Sequence, residues 1–203
     1  MIDVTDLQTS PKALAEFHKA EDAIQHQDWA KAIERYQKAL AIDPKFAAAY
    51  NNLGYAYARI GDGAHQREAL DHAIELNRHA VEPLMNRGLL ALQEKDKATA
   101  ENLLDQAIRL DPQNAEALIL LTRAQLMNAH YDEALVTVRQ LDAAPHAKYP
   151  VIHYLAARAF EAERKIAQAA AQLRQFLQEE PQGARADAAR QELAQLESTI
   201  SPQ

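Results

Sequence analysis

A short segment recurs along the chain at a constant interval, and this repeat constrains the fold more than any other feature. Residues 39–44 read Ala-Leu-Ala-Ile-Asp-Pro, residues 73–78 read Ala-Ile-Glu-Leu-Asn-Arg, and residues 107–112 read Ala-Ile-Arg-Leu-Asp-Pro. Small residues upstream keep the same step at Ala20, Gly54, Gly88 and Thr122. The interval is 34 residues, and a period of this length indicates one supersecondary unit that buries its apolar face by stacking on its neighbours.

The spacing of apolar residues within a repeat predicts two amphipathic helices. From Tyr50 to Tyr57, apolar or small residues fall at i, i+3, i+4 and i+7, which is one face of a helix. Only 5 Gly and 8 Pro occur among 203 residues, a composition that favours helix throughout. Asp28 and Asp62 are placed to cap second helices, and Pro44 follows the point where a second helix must end. An all-α fold of helix pairs is therefore predicted.

Taken together, these residues resemble the tetratricopeptide repeat. The resemblance rests on the 34-residue step, the opening Tyr50-x-x-Leu53-Gly54-x-x-Tyr57, the recurring Ala at the end of the second helix, and the closing Asp-Pro. It covers about residues 13–181 in five repeats: 13–46, 47–80, 81–114, 115–149 and 150–183. The resemblance implies a right-handed superhelical solenoid of about five hairpins over residues 11–183, with first helices lining a concave face.

Departures from the pattern occur inside and at both ends of this region. Gln66 stands where the family places a small residue and Arg78 replaces the closing Pro, so the second helix of the second repeat is expected to pack more loosely or to start differently. The fourth repeat carries one extra residue before the fifth. Residues 184–203 are predicted to form a capping helix and C-terminal tail, since the last hairpin must be covered. Residues 1–10 are expected to be an N-terminal tail or the stub of an upstream domain.

The charge balance and composition exclude several kinds of partner. With 22 Lys and Arg against 29 Asp and Glu, the net charge is -7, so the basic surface that nucleic acid requires is not expected. No run approaches the roughly 18 apolar residues of a membrane span, and membrane insertion is not expected. The absence of Cys suits the cytoplasm and extracytoplasmic compartments alike. The resemblance extends to bacterial repeat proteins, some exported with an upstream β domain, which favours an extracytoplasmic bacterial setting over the cytoplasmic alternative.

The chain offers no pattern for catalysis, for a cofactor or for a metal ion. Serine occurs only at Ser10, Ser198 and Ser201, and no Gly-x-Gly-x-x-Gly loop is present. His65 and His72 are two helical turns apart, which separates their side chains by about 10 Å, too far to share one metal ion. We therefore predict no catalytic, cofactor or metal site, and expect these histidines to be solvated.

A second stripe on the first helices carries the candidate partner-binding residues. Its members lie one step past the packing stripe, about 100° round each helix, and the resemblance places them on the concave groove. Aromatic, Met and Arg side chains, the types enriched at binding hot spots, are frequent among them. The candidates are Phe17, Asn51, Tyr55, Arg59, Met85, Leu89, Ile119, Arg123, Met127, Tyr154 and Arg158. The alternative is that aliphatic members such as Leu89 and Ile119 are buried between neighbouring first helices.

The stripe indicates which protein partner to expect. Some relatives bind acidic chaperone C-termini through a clamp of Lys, Asn and Arg, but here Phe17, Glu21 and Glu82 occupy clamp positions, so such tails are not expected. An apolar groove flanked by Arg suits an amphipathic helix or an extended peptide. The predicted function is a noncatalytic protein-protein interaction scaffold. The alternative is a structural or self-associating, homo-oligomerising module of a larger bacterial protein that could be exported.

Overall fold

Every regular element in the described part of the chain is an α-helix, in a computed structural model that describes residues 9–143 and 149–200. The all-α prediction is therefore confirmed for these residues. The predicted tails at residues 1–8 and 201–203, and residues 144–148 around the extra residue of the fourth repeat, lie outside the described residues.

The chain divides into two compact units, an N-terminal unit that ends at Glu94 and a C-terminal unit that begins at Lys95. The helices of the N-terminal unit are α1 (Pro11–Gln25), α2 (Trp29–Ile42), α3 (Ala47–Ile60), α4 (Gly63–Leu76) and α5 (Val81–Gln93). Those of the C-terminal unit are α6 (Lys97–Leu110), α7 (Ala115–Met127), α8 (Tyr131–Asp142), α9 (Val151–Ala162), α10 (Ile166–Glu179) and α11 (Ala184–Ile200). Within each unit, neighbouring helices in the sequence pack on one another.

The turn before each even-numbered helix through α10 has the same backbone conformation. One residue adopts a positive φ, between 58° and 77°, and the next residue is the N-cap of the helix. The positive-φ residues are Gln27, Gly61, Lys95, Ala129 and Arg164. They recur at the interval of the sequence repeat, except that the last step is one residue longer. This longer step agrees with the extra residue in the sequence of the fourth repeat.

Aspartate side chains cap three of these helices. The carboxylates of Asp28, Asp62 and Asp96 accept hydrogen bonds from the backbone N–H three residues later, at 3.1, 3.2 and 3.2 Å. The predicted caps at Asp28 and Asp62 are confirmed. The expectation that Gln66 alters the start of α4 is wrong, because α4 begins directly after Asp62 just as α2 begins directly after Asp28, and Gln66 itself is buried at 7% exposure.

The core of the N-terminal unit is built on small residues and a cluster of aromatic rings. Ala20 on α1 and Ala32 on α2 are fully buried, which allows these two helices to approach closely. The Phe17 ring lies 5.5 Å from Tyr36 and 4.8 Å from Phe46, measured between ring centroids. Burial raises the pKa of the Tyr36 hydroxyl to about 12. Phe17 is only 8% exposed, so its prediction as a groove residue is wrong: it belongs to this core.

The C-terminal unit is closed at its end by α11. Ala186, Ala189 and Leu196 of this helix are buried, and α11 packs on α10, whose Leu173 and Phe176 are fully buried. Ion pairs hold the same helix in place: the Arg174 guanidinium lies 2.6 Å from the Glu197 carboxylate, and the Arg158 guanidinium 3.0 Å from that of Glu192. The helix therefore buries an apolar face and presents a polar one, as a capping helix must.

Gly54 lies where α3 packs so closely against α4 that a side chain would collide with Leu70. A Cβ atom added at Gly54 would lie 2.8 Å from Cγ and 2.9 Å from Cδ2 of Leu70, which is fully buried on α4. We expect Gly54→Ala to lower the free energy of unfolding by about 1–3 kcal/mol because Leu70 has no room to move. Urea unfolding of Gly54→Ala, Leu70→Ala and the double variant measures this. The two effects should be less than additive; full additivity would contradict a direct clash.

Two glycines of the α3–α4 turn should respond in opposite directions to the same substitution. Gly61 has a φ of +77° and open space around it, so Gly61→Ala should cost about 1 kcal/mol through the backbone alone. Gly63 is the first residue of α4, and a Cβ there would meet its nearest atom at an ordinary 3.9 Å. Gly63→Ala should therefore raise the free energy of unfolding, by up to about 0.5 kcal/mol. Urea unfolding monitored by circular dichroism compares them; equal shifts would contradict the role of the positive φ.

Candidate partner-binding surface

The candidate residues fall into two rows that differ in exposure. The inner row is the first candidate on each first helix, and the outer row lies one or two helical turns later. The inner row consists of Phe17, Asn51, Met85, Ile119 and Tyr154, and the outer row of Tyr55, Arg59, Leu89, Arg123, Met127 and Arg158. Phe17 and Met85 are each 8% exposed and the rest of the inner row is half-buried. The prediction that Met85 offers groove surface is therefore wrong, as it is for Phe17.

The outer row keeps the accessible side chains. Tyr55 is 42% exposed, and Arg59, Arg123 and Arg158 are exposed as well. Leu89 and Met127 are half-buried. The expected alternative, burial of the aliphatic residues, thus holds in part, because Leu89 and Ile119 are each partly covered. The residues that remain available to a ligand are mainly arginines and one tyrosine.

Three side chains of the N-terminal unit form what we call the aromatic–arginine patch: Trp29, Tyr55 and Arg59. The rings of Trp29 and Tyr55 meet edge to face, with centroids 6.1 Å apart. The Arg59 guanidinium carbon lies 4.8 Å from the centroid of the Trp29 ring, which is a cation–π contact. Tyr55 and Arg59 are one turn apart on α3, and Trp29 is the first residue of α2.

Trp29 was missed by the sequence reasoning because that reasoning considered only the stripe of the first helices. Trp29 opens a second helix, directly after the cap Asp28. One signal could have found it: Trp29 is the single tryptophan of the chain, and tryptophan is enriched at binding hot spots.

Asn51 is held by the fold on the same face of α3. Its amide oxygen accepts a hydrogen bond from the Asn86 amide of α5 at 3.0 Å, and its own amide nitrogen donates to Asn52 at 3.2 Å. The bond from Asn86 connects α5 with α3. Together the two bonds occupy the Asn51 amide oxygen and one N–H of its amide nitrogen, so fewer of its polar groups are free to bind a ligand. The main role of Asn51 is therefore to link α3 to α5 beside the patch, and it adds little free polar surface.

The candidates of the C-terminal unit are largely occupied by internal contacts. Tyr154 packs on Phe176 with centroids 5.5 Å apart, and Ile119 packs against a buried cluster of the same unit. Arg158 pairs with Glu192 at 3.0 Å and Glu161 at 3.7 Å. Partial burial raises the pKa of the Glu192 carboxyl, and Arg158 opposes that rise. Arg123 has no ion-pair partner among the residues that the structure describes.

Residues 9–143 and 149–200 contain neither a candidate metal cluster nor a candidate membrane-spanning helix. No group of three His, Asp or Glu side chains there could hold a metal ion. None of the helices in this part of the chain combines the length and apolarity needed to cross a membrane. His65 and His72 are exposed, as expected, yet the His65 ring stacks on Tyr57 and the His72 ring lies tilted against Tyr50, with centroids 5.1 Å apart in both pairs.

Four family models of this repeat match the chain. One, described as TPR repeat, matches residues 23–61, and three described as tetratricopeptide repeat match residues 47–79, 67–114 and 91–159. Together they span residues 23–159, more than half of the chain. The chain belongs to the tetratricopeptide repeat family. Proteins of this family are generally noncatalytic interaction modules.

Curated relatives carry the same repeat. Tetratricopeptide repeat protein 36 of Homo sapiens is 35% identical over 99 residues, which are 46% of this chain and 52% of that protein. Its counterpart of the same name from Danio rerio is 30% identical over 118 residues, 55% of this chain and 63% of that protein. The aligned part of the chain thus spans less than two thirds of either relative.

Solved structures confirm the tetratricopeptide solenoid as the fold class. A tetratricopeptide repeat protein from Parabacteroides merdae has a TM-score of 0.82 at 16% identity, over 93% of this chain and 75% of that one. YrrB, described as a TPR protein with an unusual peptide-binding site, has a TM-score of 0.78 at 17% identity, over 93% and 95%. The first TPR domain of Spaghetti, bound to the HSP90 peptide SRMEEVD, has a TM-score of 0.58 at 25% identity, over 59% and 95%.

The cation–π contact in the patch should be measurable through Trp29. Because the Arg59 guanidinium covers one face of the only indole, Arg59→Ala should increase quenching of tryptophan fluorescence by the neutral quencher acrylamide. Arg67→Ala is the matched control, since Arg67 lies on α4 and pairs with Glu94. Equal quenching in Arg59→Ala and the unchanged protein would contradict the contact.

Proposed function

We propose that this tetratricopeptide repeat protein is a noncatalytic scaffold that binds a peptide segment or an amphipathic helix of a partner protein through the outer-row residues of its N-terminal unit. The observation that carries the proposal is the aromatic–arginine patch. Trp, Tyr and Arg are the residue types that dominate hot spots, and here all three meet on an accessible surface of one unit. The peptide-binding descriptions of YrrB and of the first TPR domain of Spaghetti support the same class of function.

The charges of the outer row favour a ligand that carries a carboxylate. Arg59 and Arg123 form no ion pair with any carboxylate in the described part of the chain. An acidic side chain of a ligand would gain a charge-assisted hydrogen bond from the Arg59 guanidinium, one turn from Tyr55 on α3. An apolar or aromatic side chain beside it would bury the exposed face of Tyr55. We therefore propose a ligand segment in which an acidic residue stands next to an apolar one.

A ligand of the SRMEEVD type should not be held in the way that the family's clamp holds it. The side chain of Phe17 is buried in the core, at a position where the clamp requires a polar group. Glu21 is acidic and lies 2.9 Å from His18, so it would repel a terminal carboxylate. The proposed recognition therefore depends on internal side chains of the ligand and not on a free C-terminus.

Selection from a peptide display library, followed by titration of the selected peptides, tests the proposal. Trp29 fluorescence reports binding at the patch, because the chain has no other tryptophan. The double variant Tyr55→Ala/Arg59→Ala should weaken binding about tenfold or more, as removal of hot-spot residues does. Val136→Ala/Arg139→Ala is the matched control, since it removes an exposed apolar residue and an arginine from α8. Equal loss of affinity in both double variants would refute the patch as the binding surface.

The alternative function, a structural or self-associating module of a larger protein, makes a different prediction. If the outer row meets a second copy of the chain, the mass in solution rises with protein concentration, and Tyr55→Ala/Arg59→Ala lowers it to that of a monomer. Light scattering coupled to size exclusion over a wide concentration range distinguishes the two. A monomer that binds the selected peptides supports the scaffold, whereas a patch-dependent dimer that binds none of them supports self-association.

A further inference from the structure

The N-terminal unit contains a recess that lies outside the aromatic–arginine patch. It opens between α2, α3 and α4 and has a volume of about 290 Å³. Its floor is apolar and consists of the buried side chains of Leu40, Leu53 and Ala69. We call it the tyrosine–histidine recess. Its volume is at the lower end of the range of about 300–1,000 Å³ for ligand pockets, so it suits one side chain.

Two aromatic pairs form the walls of the recess. Tyr57 of α3 stacks on His65 of α4 with an angle of 23° between the rings, and Tyr50 meets His72 at 36°. In both pairs the ring centroids are 5.1 Å apart. Because Tyr50 and Tyr57 are two helical turns apart, as are the two histidines, the pairs stand about 10 Å from each other. A side chain that enters between the two pairs would have aromatic rings on both sides.

The groups around the walls fix the rings in place. The Gln37 amide donates a hydrogen bond of 3.0 Å to the Tyr57 hydroxyl. His65 Nδ1 lies 2.6 Å from a carboxylate oxygen of Asp62, and His72 Nδ1 lies 3.6 Å from Glu75. Each of these contacts is at the edge of a ring, so it does not interfere with the packing of the tyrosine and histidine rings on each other.

Glu68 supplies an unpaired carboxylate at the recess. It lies on α4 between His65 and His72, at i+3 from the first and i−4 from the second, so it projects from the same face of the helix. Its side chain is exposed, and no hydrogen bond or ion pair to it exists in the described part of the chain. The neighbouring Arg67 is already paired with Glu94. A carboxylate between two aromatic walls, without a cation of its own, is complementary to a flat cation.

We propose that the tyrosine–histidine recess binds the guanidinium group of an arginine side chain presented by a partner protein. The guanidinium is planar and stacks on aromatic faces, and its forked N–H groups match the two oxygens of the Glu68 carboxylate. The methylene groups of the same side chain would cover Leu40 and Leu53 on the floor. A lysine ammonium would reach the carboxylate without stacking, and a neutral side chain would leave the carboxylate unpaired.

The C-terminal unit provides a comparison at the equivalent repeat positions, two repeats further along the chain. A recess of about 520 Å³ lies there, with Leu121 in the place of Leu53. Gln125 and Glu133 stand where Tyr57 and His65 stand in the N-terminal unit. The nearby Glu101 carboxylate already lies 2.9 Å from His130 and raises the pKa of that imidazole. This recess is acidic and has no tyrosine–histidine pair in its lining, so it distinguishes attraction by charge alone from recognition of a guanidinium.

Titration of the whole chain with blocked tripeptides at pH 8, followed by NMR, tests the proposal. The probe is acetylated and amidated Gly-Arg-Gly, and the comparison peptides carry lysine or the neutral isostere citrulline at the centre. The arginine peptide should give saturable shifts of the Tyr50, Tyr57, His65 and His72 ring resonances. Its affinity should exceed that of the other two peptides at least about fivefold, and it should fall by a similar factor in Glu68→Gln.

Matched variants make the outcome decisive. Glu34→Gln removes an exposed carboxylate that pairs with Lys38 on α2 and should leave binding unchanged. His65→Ala removes one wall from an exposed position, which the fold should tolerate, and should also weaken the arginine peptide. Equal binding of the citrulline or lysine peptide, or equal shifts at the recess of the C-terminal unit, would overturn the proposal. Tyr55→Ala/Arg59→Ala should retain arginine binding, so the proposed peptide surface and this recess can fail separately.

Discussion

Close packing of helices through small side chains is the constraint on which each unit depends. Ala20 and Ala32 are fully buried where α1 meets α2, and Gly54 leaves no space for even a methyl group beside Leu70. Helices this close bury the side chains that flank the contact. Because protein interiors are packed as densely as organic crystals, the size and conformation of those side chains are tightly restricted. The constant repeat length therefore places a small residue at the same position in successive hairpins. The helix caps and the positive-φ turns recur at the same interval.

This packing decides which of the candidate residues on the first helices remain accessible. Residues of the inner row such as Phe17 and Met85 are buried, with Phe17 packed against Tyr36 and Phe46. Residues one turn later, such as Tyr55 and Arg123, lie beyond the line of contact and stay accessible. The surface available for binding is consequently narrower and more basic than the stripe in the sequence indicates, although the chain as a whole is acidic.

The features that could be predicted from the sequence are those decided within a few residues. An aspartate caps a helix by accepting a hydrogen bond three residues away, so Asp28 and Asp62 were predicted correctly. The burial of Phe17 was not predicted, since it involves Phe46, which is the N-cap of α3 and lies beyond the two helices α1 and α2. Trp29 was missed because its partner Arg59 lies on the next first helix, and periodicity within one helix carries no information about that contact.

The repeat separates the residues that specify the fold from those that recognise a ligand. Leu53 and Leu121 occupy the same repeat position and form the floor of a recess in each unit, yet the walls above them differ: Tyr57 in one unit is Gln125 in the other. Tyr57 also belongs to the buried core of the N-terminal unit, and Tyr50 packs against that core. The same side chains line the recess for which we propose guanidinium binding. Membership of the family and similarity of fold therefore follow from the small and apolar positions, whereas the ligand is determined by positions that the fold leaves free to vary.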